Sequence, residues 1–219
     1  MVMTIRKRAE QKKLQRSKQK KIPKKFLLLF VCIIILLFAS YYVLSSSNSS
    51  SKYADEFTFT LLNGKEVTFS DYLGKILILD FMGAHCQPCQ IQMFVLREIA
   101  DNYSSTVDIL SLDVWVASAG ENTQDIITLK DAFSCSSPCS AEEQYPYVQY
   151  LKSIFNKEEG FNLDWTFGLD DSDGTILTKF QLSGVPTLFL YDIKGNIYYS
   201  NVGYTDYDTL AAKIEELLR

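Results

Sequence analysis

Hydrophobic positions along the chain fall into one long unbroken run followed by short apolar runs and a few stretches with helical spacing. The long run, Phe26 to Leu44, carries no charge and has about the length needed to cross a bilayer core. Beyond it, Phe57–Leu62 and Glu66–Phe69 flank Asn63-Gly64, which predicts a hairpin. Ile76–Met82 reads as a buried strand. A helix is expected from about Pro88 to Asn102, because Ile91, Phe94, Val95 and Ile99 recur at roughly helical spacing. A strand at Val107–Asp113 follows, then a helix at about Tyr145–Asn156 with Tyr147, Val148, Leu151, Ile154 and Phe155 on one face. Trp165–Leu169 reads as a short strand, and Ile176–Phe180 as a brief helix after an acidic turn. Strands Thr187–Asp192 and Ile197–Val202 flank Lys194-Gly195-Asn196. The last helix, from about Tyr207, is expected to bury Leu210, Ala211, Ile214, Leu217 and Leu218. A strand–helix–strand start with an antiparallel hairpin end implies an α/β fold, a central mixed β-sheet flanked by helices. The stretch at about 114–144 is longer than a simple crossover requires and reads as an insert.

Charge sharpens the division. Residues 1–25 hold eleven Lys and Arg against Glu10 alone, about +10; the remainder then has 22 − 11 = 11 basic and 26 − 1 = 25 acidic residues, or −14. The expected organisation is a basic cytoplasmic segment at 1–25, a transmembrane anchor at 26–44, a Ser-rich tether at 45–56 and one domain at 57–219. The basic flank predicts a single-pass protein of the cytoplasmic membrane, N-terminus inside and acidic domain extracytoplasmic; Tyr41 and Tyr42 suit the exit interface. A cleaved signal peptide is the rival, but its apolar core is usually only ~7–15 residues. Beside a membrane span the basic run sets topology and meets anionic lipid, so no nucleic-acid partner is expected. Asp170-Asp171-Ser172-Asp173-Gly174 lacks the closing glutamate of a calcium loop and reads as a solvated turn. No glycine-rich phosphate loop, internal repeat or Ser/His/Asp arrangement stands out.

The chemistry concentrates at Cys86-Gln87-Pro88-Cys89, directly after the first buried strand. A thiol at a strand-to-helix junction meets unpaired N–H groups and the helix dipole, both of which stabilise a thiolate. The second thiol, three residues on, lies on the same helix face and can resolve a mixed disulfide. Asp80 interrupts the apolar run; burial would raise its pKa and let it accept the Cys89 proton near neutral pH. Downstream, Gly184-Val185-Pro186-Thr187 precedes an apolar run, and a cis proline there would leave the Val185 backbone free to pair with an extended peptide.

These three motifs, in this order, resemble the thioredoxin superfamily, and most of all membrane-anchored thioredoxin-like proteins of the TlpA/ResA type. The resemblance covers about Phe57 to Leu218. It implies a thioredoxin-like fold behind an N-terminal transmembrane helix, with Cys86 as nucleophile, Cys89 as resolving thiol, Asp80 as buried proton acceptor and Pro186 as the cis-proline. It further implies a disulfide-bearing client protein, a membrane electron-relay protein as reductant, possible service in cytochrome c maturation, and no cofactor beyond the redox-active disulfide. Two departures stand out: His85 replaces a tryptophan usual before the first cysteine, and Gln92 stands where many TlpA-type proteins carry glutamate.

Three readings remain for the second pair, Cys135 and Cys139: a structural bridge in an exposed loop, an auxiliary redox pair, or half of a four-thiolate metal site with Cys86 and Cys89. The compartment favours the first, and a closed zinc site would silence the exchange chemistry, so no metal is expected. Cys32, inside the span, is an inert buried thiol by default. His85, the only histidine, either tunes the Cys86 thiolate and contacts substrate or simply caps the loop. The function implied is a membrane-anchored, extracytoplasmic thiol–disulfide oxidoreductase that reduces client disulfides. The alternatives are an oxidant or isomerase on the same fold and a thiol-based metal-binding module.

Overall fold

A computed structural model describes residues 57–219; the expected basic segment, anchor and tether, and Cys32, lie outside the described residues. Among the described residues no helix is long and apolar enough to cross a membrane. The strands are β1 Thr58–Leu61, β2 Glu66–Thr68, β3 Ile76–Met82, β4 Val107–Asp113, β5 Thr166–Leu169, β6 Thr187–Tyr191 and β7 Ile197–Val202. The helices are α1 Gln87–Tyr103, α2 Val116–Ala119, α3 Thr123–Ser134, α4 Ser140–Gln144, α5 Pro146–Ile154, α6 Thr175–Lys179 and α7 Tyr207–Leu217.

All seven strands join one mixed sheet in the order β2-β1-β5-β4-β3-β6-β7. β3, β4 and β5 run parallel, while β6 is antiparallel to β3 and β1 to β5. The parallel centre explains why β3 is buried on both faces and reads as a continuous apolar run. The β1–β2 hairpin turns at Asn63-Gly64, where Gly64 has φ 79° and the Asn63 side chain accepts from Lys65 N.

Alternation along β3 divides the core. Leu77, Leu79 and Phe81 face a cluster with Phe57, Phe59, Phe69, Leu110, Leu112 and Ile176. Ile76 and Ile78 face the opposite way, against Val95, Leu96 and Ile99 of α1 and Leu210 and Ile214 of α7. A third cluster, at the C-terminal end of β3, joins Met82, Cys86, Cys89 and Met93 to Ile126, Leu129, Phe133, Tyr145 and Val148. The stretch at 114–144 is therefore not a loop laid on the surface: α2, α3 and α4 form there, and α3 completes the core beside the cysteines.

Several buried faces differ from the periodicity reading. In α1 the innermost residues are Cys89, Gln92, Met93, Leu96 and Ile99, with Ile91 and Phe94 only half-buried. Ile154, Phe155 and Leu218 are exposed, and Lys152 rather than Ile154 is buried on α5. The acidic turn is not simply solvated either. Asp170 is buried, and its carboxylate accepts from the amides of Asp171, Ile176 and Leu177 at 2.8, 2.9 and 3.0 Å, holding the start of α6 against β5. Burial drives its pKa up, opposed by those three amides.

Gln92 also has a structural task. Its Nε2 donates to Thr205 O at 3.1 Å and its Oε1 accepts from Thr205 N at 2.8 Å, tying α1 to the turn before α7. An ionised glutamate could supply only one of those two bonds. Replacing Asp170 with alanine removes the acceptor of three amides, of which that of Ile176 is buried, and should lower unfolding free energy by about 2–4 kcal/mol, read as a fall in the urea midpoint without a change in slope.

Candidate active site

The strand-to-helix junction is short. β3 ends at Met82, and Gly83, Ala84 and His85 carry the chain to Cys86, the N-cap of α1. Gly83 is required by crowding, since a Cβ there would come within 2.5 Å of the Trp115 ring. Cys86 and Cys89 form a disulfide with Cα atoms 5.2 Å apart. The Cys86 sulfur accepts the Cys89 amide at 3.2 Å, so it already occupies the position of an N-capping acceptor. A thiolate formed there would keep that hydrogen bond and meet the positive end of a helix seventeen residues long.

Across from it, the Val185–Pro186 peptide is cis, and Val185 O lies 3.8 Å from Cys86 Sγ. Pro186 is buried and its carbonyl accepts Gly203 N at 2.7 Å, while Val185 is half-buried. The structure thus brings Val185 and Pro186 to Cys86 from the far end of the chain.

Asp80 lies between Ile78 and Met82 on the strand, so alternation directs its side chain to the face of the sheet that α1 covers. It is fully buried. Ser111 Oγ donates to its Oδ2 at 3.0 Å, and Trp165 Nε1 in turn donates to Ser111 Oγ at 3.0 Å. Its other oxygen, Oδ1, has no partner. Burial pushes the carboxyl up to about 7, partly offset by the Ser111 hydrogen bond. A carboxyl with one open acceptor and that pKa is matched to taking a thiol proton near neutral pH.

His85 is not a free neighbour of the sulfur. Its Nδ1 pairs with Glu121 Oε1 at 2.8 Å, and its ring stacks on Tyr145 with centroids 4.9 Å apart. Glu121, buried at the start of the segment leading into α3, also accepts Ala84 N at 2.7 Å and His85 N at 2.9 Å. Asp113, at the end of β4, accepts Trp115 N at 2.9 Å and reaches Ala84 N at 3.3 Å. Burial and then the adjoining Glu121 carboxylate push the Asp113 carboxyl well above the usual range. Sequence reasoning missed both acids. Asp113 closes a predicted strand, and Glu121 is one acid in an otherwise polar stretch, so nothing local marks either as part of the site.

Cys135 and Cys139 form their own disulfide, with Cα atoms 6.3 Å apart. Among the described residues the one group of candidate metal-ligating side chains within reach of each other is Cys135, Cys139 and Glu142. Cys86 and Cys89 do not join it: one pair caps α1 and the other links α3 to α4.

The pattern of the AhpC/TSA family matches residues 51–130. The thiol–disulfide oxidoreductase ResA of Bacillus thuringiensis is 36% identical over 63 residues, which is 28% of this chain and 36% of that protein. ResA of Geobacillus kaustophilus is 28% identical over 145 residues, 66% of this chain and 64% of that protein. The chain therefore spans about a third of the length of the first relative and just under two thirds of the second. Among solved structures, one assigned to thiol:disulfide interchange protein DsbE of Chlorobium tepidum aligns with a TM-score of 0.52 at 20% identity, covering 76% of this chain and 95% of that one. DsbF of Mycobacterium tuberculosis aligns with a TM-score of 0.52 at 18% identity, covering 77% and 99%. These alignments show a thioredoxin-like fold.

Asp80 generates a signed prediction. The folded chain keeps its proton up to about pH 7, whereas the unfolded chain loses it near 3.8. The folded state binds more protons in that window, so stability should fall as pH rises through it, by up to about 4 kcal/mol, and level off above. Urea titrations of the oxidised protein from pH 4 to 8 should show this component, and Asp80→Asn should lack it.

Proposed function

We propose that the chain is a thiol–disulfide oxidoreductase of the thioredoxin superfamily, of the ResA type, reducing disulfides of client proteins through Cys86 and Cys89. The single observation that carries this reading is the Cys86 sulfur at the N-cap of α1, facing the carbonyl before cis-Pro186 with buried Asp80 beneath the helix. In the reduced protein the Cys86 thiolate attacks a client disulfide and one client sulfur leaves as thiolate. The client's backbone runs beside Val185 as an added strand, with Pro186 and His85 at its edge. Cys89 then gives its proton to Asp80 and attacks Cys86 Sγ. The second client sulfur departs, and Cys86–Cys89 is left oxidised. No cofactor beyond this dithiol is needed.

The N-terminal pattern supports an extracytoplasmic domain on a single-pass anchor, with the basic end inside. In that compartment a membrane electron-relay protein is the fitting reductant, and cytochrome c maturation is one service such a reductase can perform. Oxidant or isomerase activity on the same fold is separated from this reading by the potential of the Cys86–Cys89 couple.

Equilibration in graded thiol–disulfide buffers, with each cysteine read by peptide mass, should place that couple nearer the roughly −270 mV of thioredoxin than the roughly −120 mV of a strong oxidant. A value at the oxidising end would overturn the reducing direction. In the same protein Cys89→Ser should accumulate a client joined to Cys86, and adding Asp80→Asn to otherwise unaltered protein should slow resolution by about 10²–10⁴-fold.

A further inference from the structure

The Cys135–Cys139 bridge is flanked by a buried charge that a loop staple does not require. Lys152 on α5 is completely buried. Its Nζ donates to Glu142 Oε1 at 2.7 Å, Cys135 O at 2.7 Å and Ala132 O at 3.1 Å, and lies 3.8 Å from Cys135 Sγ. Glu142 also accepts from Ser137 Oγ and, at 3.1 Å, from Cys139 N. Burial raises the Glu142 pKa, but the hydrogen bonds from Lys152, Ser137 and Cys139 outweigh it and hold the carboxyl below its usual range. The ammonium thus adjoins one sulfur, and the carboxylate adjoins the backbone of the other cysteine.

Both cysteines are half-buried, but Cys139 borders a surface groove with Pro138, Ser140, Glu142, Glu143 and Pro146 in its wall, whereas Cys135 does not line it. We propose that Cys135–Cys139 is a second exchange-competent disulfide, attacked at Cys139 Sγ from this groove and releasing Cys135 as a thiolate beside Lys152. Its co-reactant is a dithiol. One thiolate of the dithiol bonds to Cys139 Sγ, the Cys135–Cys139 bond breaks, and the electron pair leaves on Cys135. The dithiol's second thiolate then attacks its own sulfur in the mixed disulfide and displaces Cys139, which takes a proton from water. The donor ends as a disulfide and the pair is reduced by two electrons. The Glu142 carboxylate lies within 4.8 Å of both sulfurs, so the asymmetry comes from Lys152, whose Nζ beside Cys135 Sγ makes Cys135 the better leaving group.

The bridge is also placed to be felt at the first site. Cys139 is the N-cap of α4, and Tyr145, at the end of α4, stacks on His85.

The test uses the full oxidised chain, exposed briefly to glutathione and quenched with iodoacetamide before peptide mapping. The expected product carries glutathione on Cys139 and the alkyl group on Cys135. The reverse placement, or no adduct on either while Cys86 reacts, would overturn the proposal. Replacing the buried pair together, Lys152→Met with Glu142→Gln, should slow reduction of this bridge by dithiothreitol by roughly tenfold. An unchanged rate in the folded double variant contradicts it, and if that variant does not fold the mapping on the unaltered chain still decides. Neither readout depends on the direction in which Cys86 and Cys89 work.

Discussion

Glu121 holds the backbone on which the active-site cysteine stands. Its carboxylate takes the amides of Ala84 and His85 and the imidazole of His85, in a turn too short to satisfy its own donors. Without that anchor the His85 amide would lack a partner, at a cost of about 1–3 kcal/mol, and the Ala84 amide would keep only its 3.3 Å contact with Asp113. The position of Cys86 relative to Val185 depends on this turn being fixed. So does the packing of Trp115 on Gly83, which leaves no room for a side chain there. The segment at 114–144 is therefore part of the site's scaffold.

Two of the buried aspartates, Asp170 and Asp80, have opposite chemistry. Asp170 is saturated: three amides converge on it, and it serves to start a helix. Asp80 has one hydroxyl donor and one open oxygen, so its desolvation is only partly offset and its carboxyl is pushed up to about 7. Such an under-compensated group persists in a core most readily where chemistry uses it. The same contrast separates the two cysteine pairs. The first has a backbone amide and a helix end beside its leading sulfur; the second has a lysine side chain.

Much of this was legible in the residues themselves. The β1–β2 hairpin, the buried β3, the helix after the cysteines and the antiparallel β6–β7 end all follow from alternation, turn residues and continuous apolar runs, which are local properties of the chain. Helix α3 was legible too and was passed over: Asn122 and Asp125 form a capping box, and Ile126, Leu129, Ala132 and Phe133 recur on one face. Its polar surroundings masked a pattern that periodicity carries.

By itself the sequence determined the order of strands and helices and the location of a dithiol at a helix start, because spacing and residue type act over a few positions. Only the tertiary structure decided which distant groups complete the site. Glu121 reaches Ala84 across 37 residues, Val185 reaches Cys86 across 99, and Thr205 meets Gln92 across 113. Those pairings are set by strand order and by the need to satisfy every buried donor and acceptor, a condition imposed on the folded chain as a whole. Lys152 shows the difference most plainly. Its residue type assigns it to solvent, yet on α5 it shares the face of Val148 and is buried with Glu142 and two carbonyls as its partners.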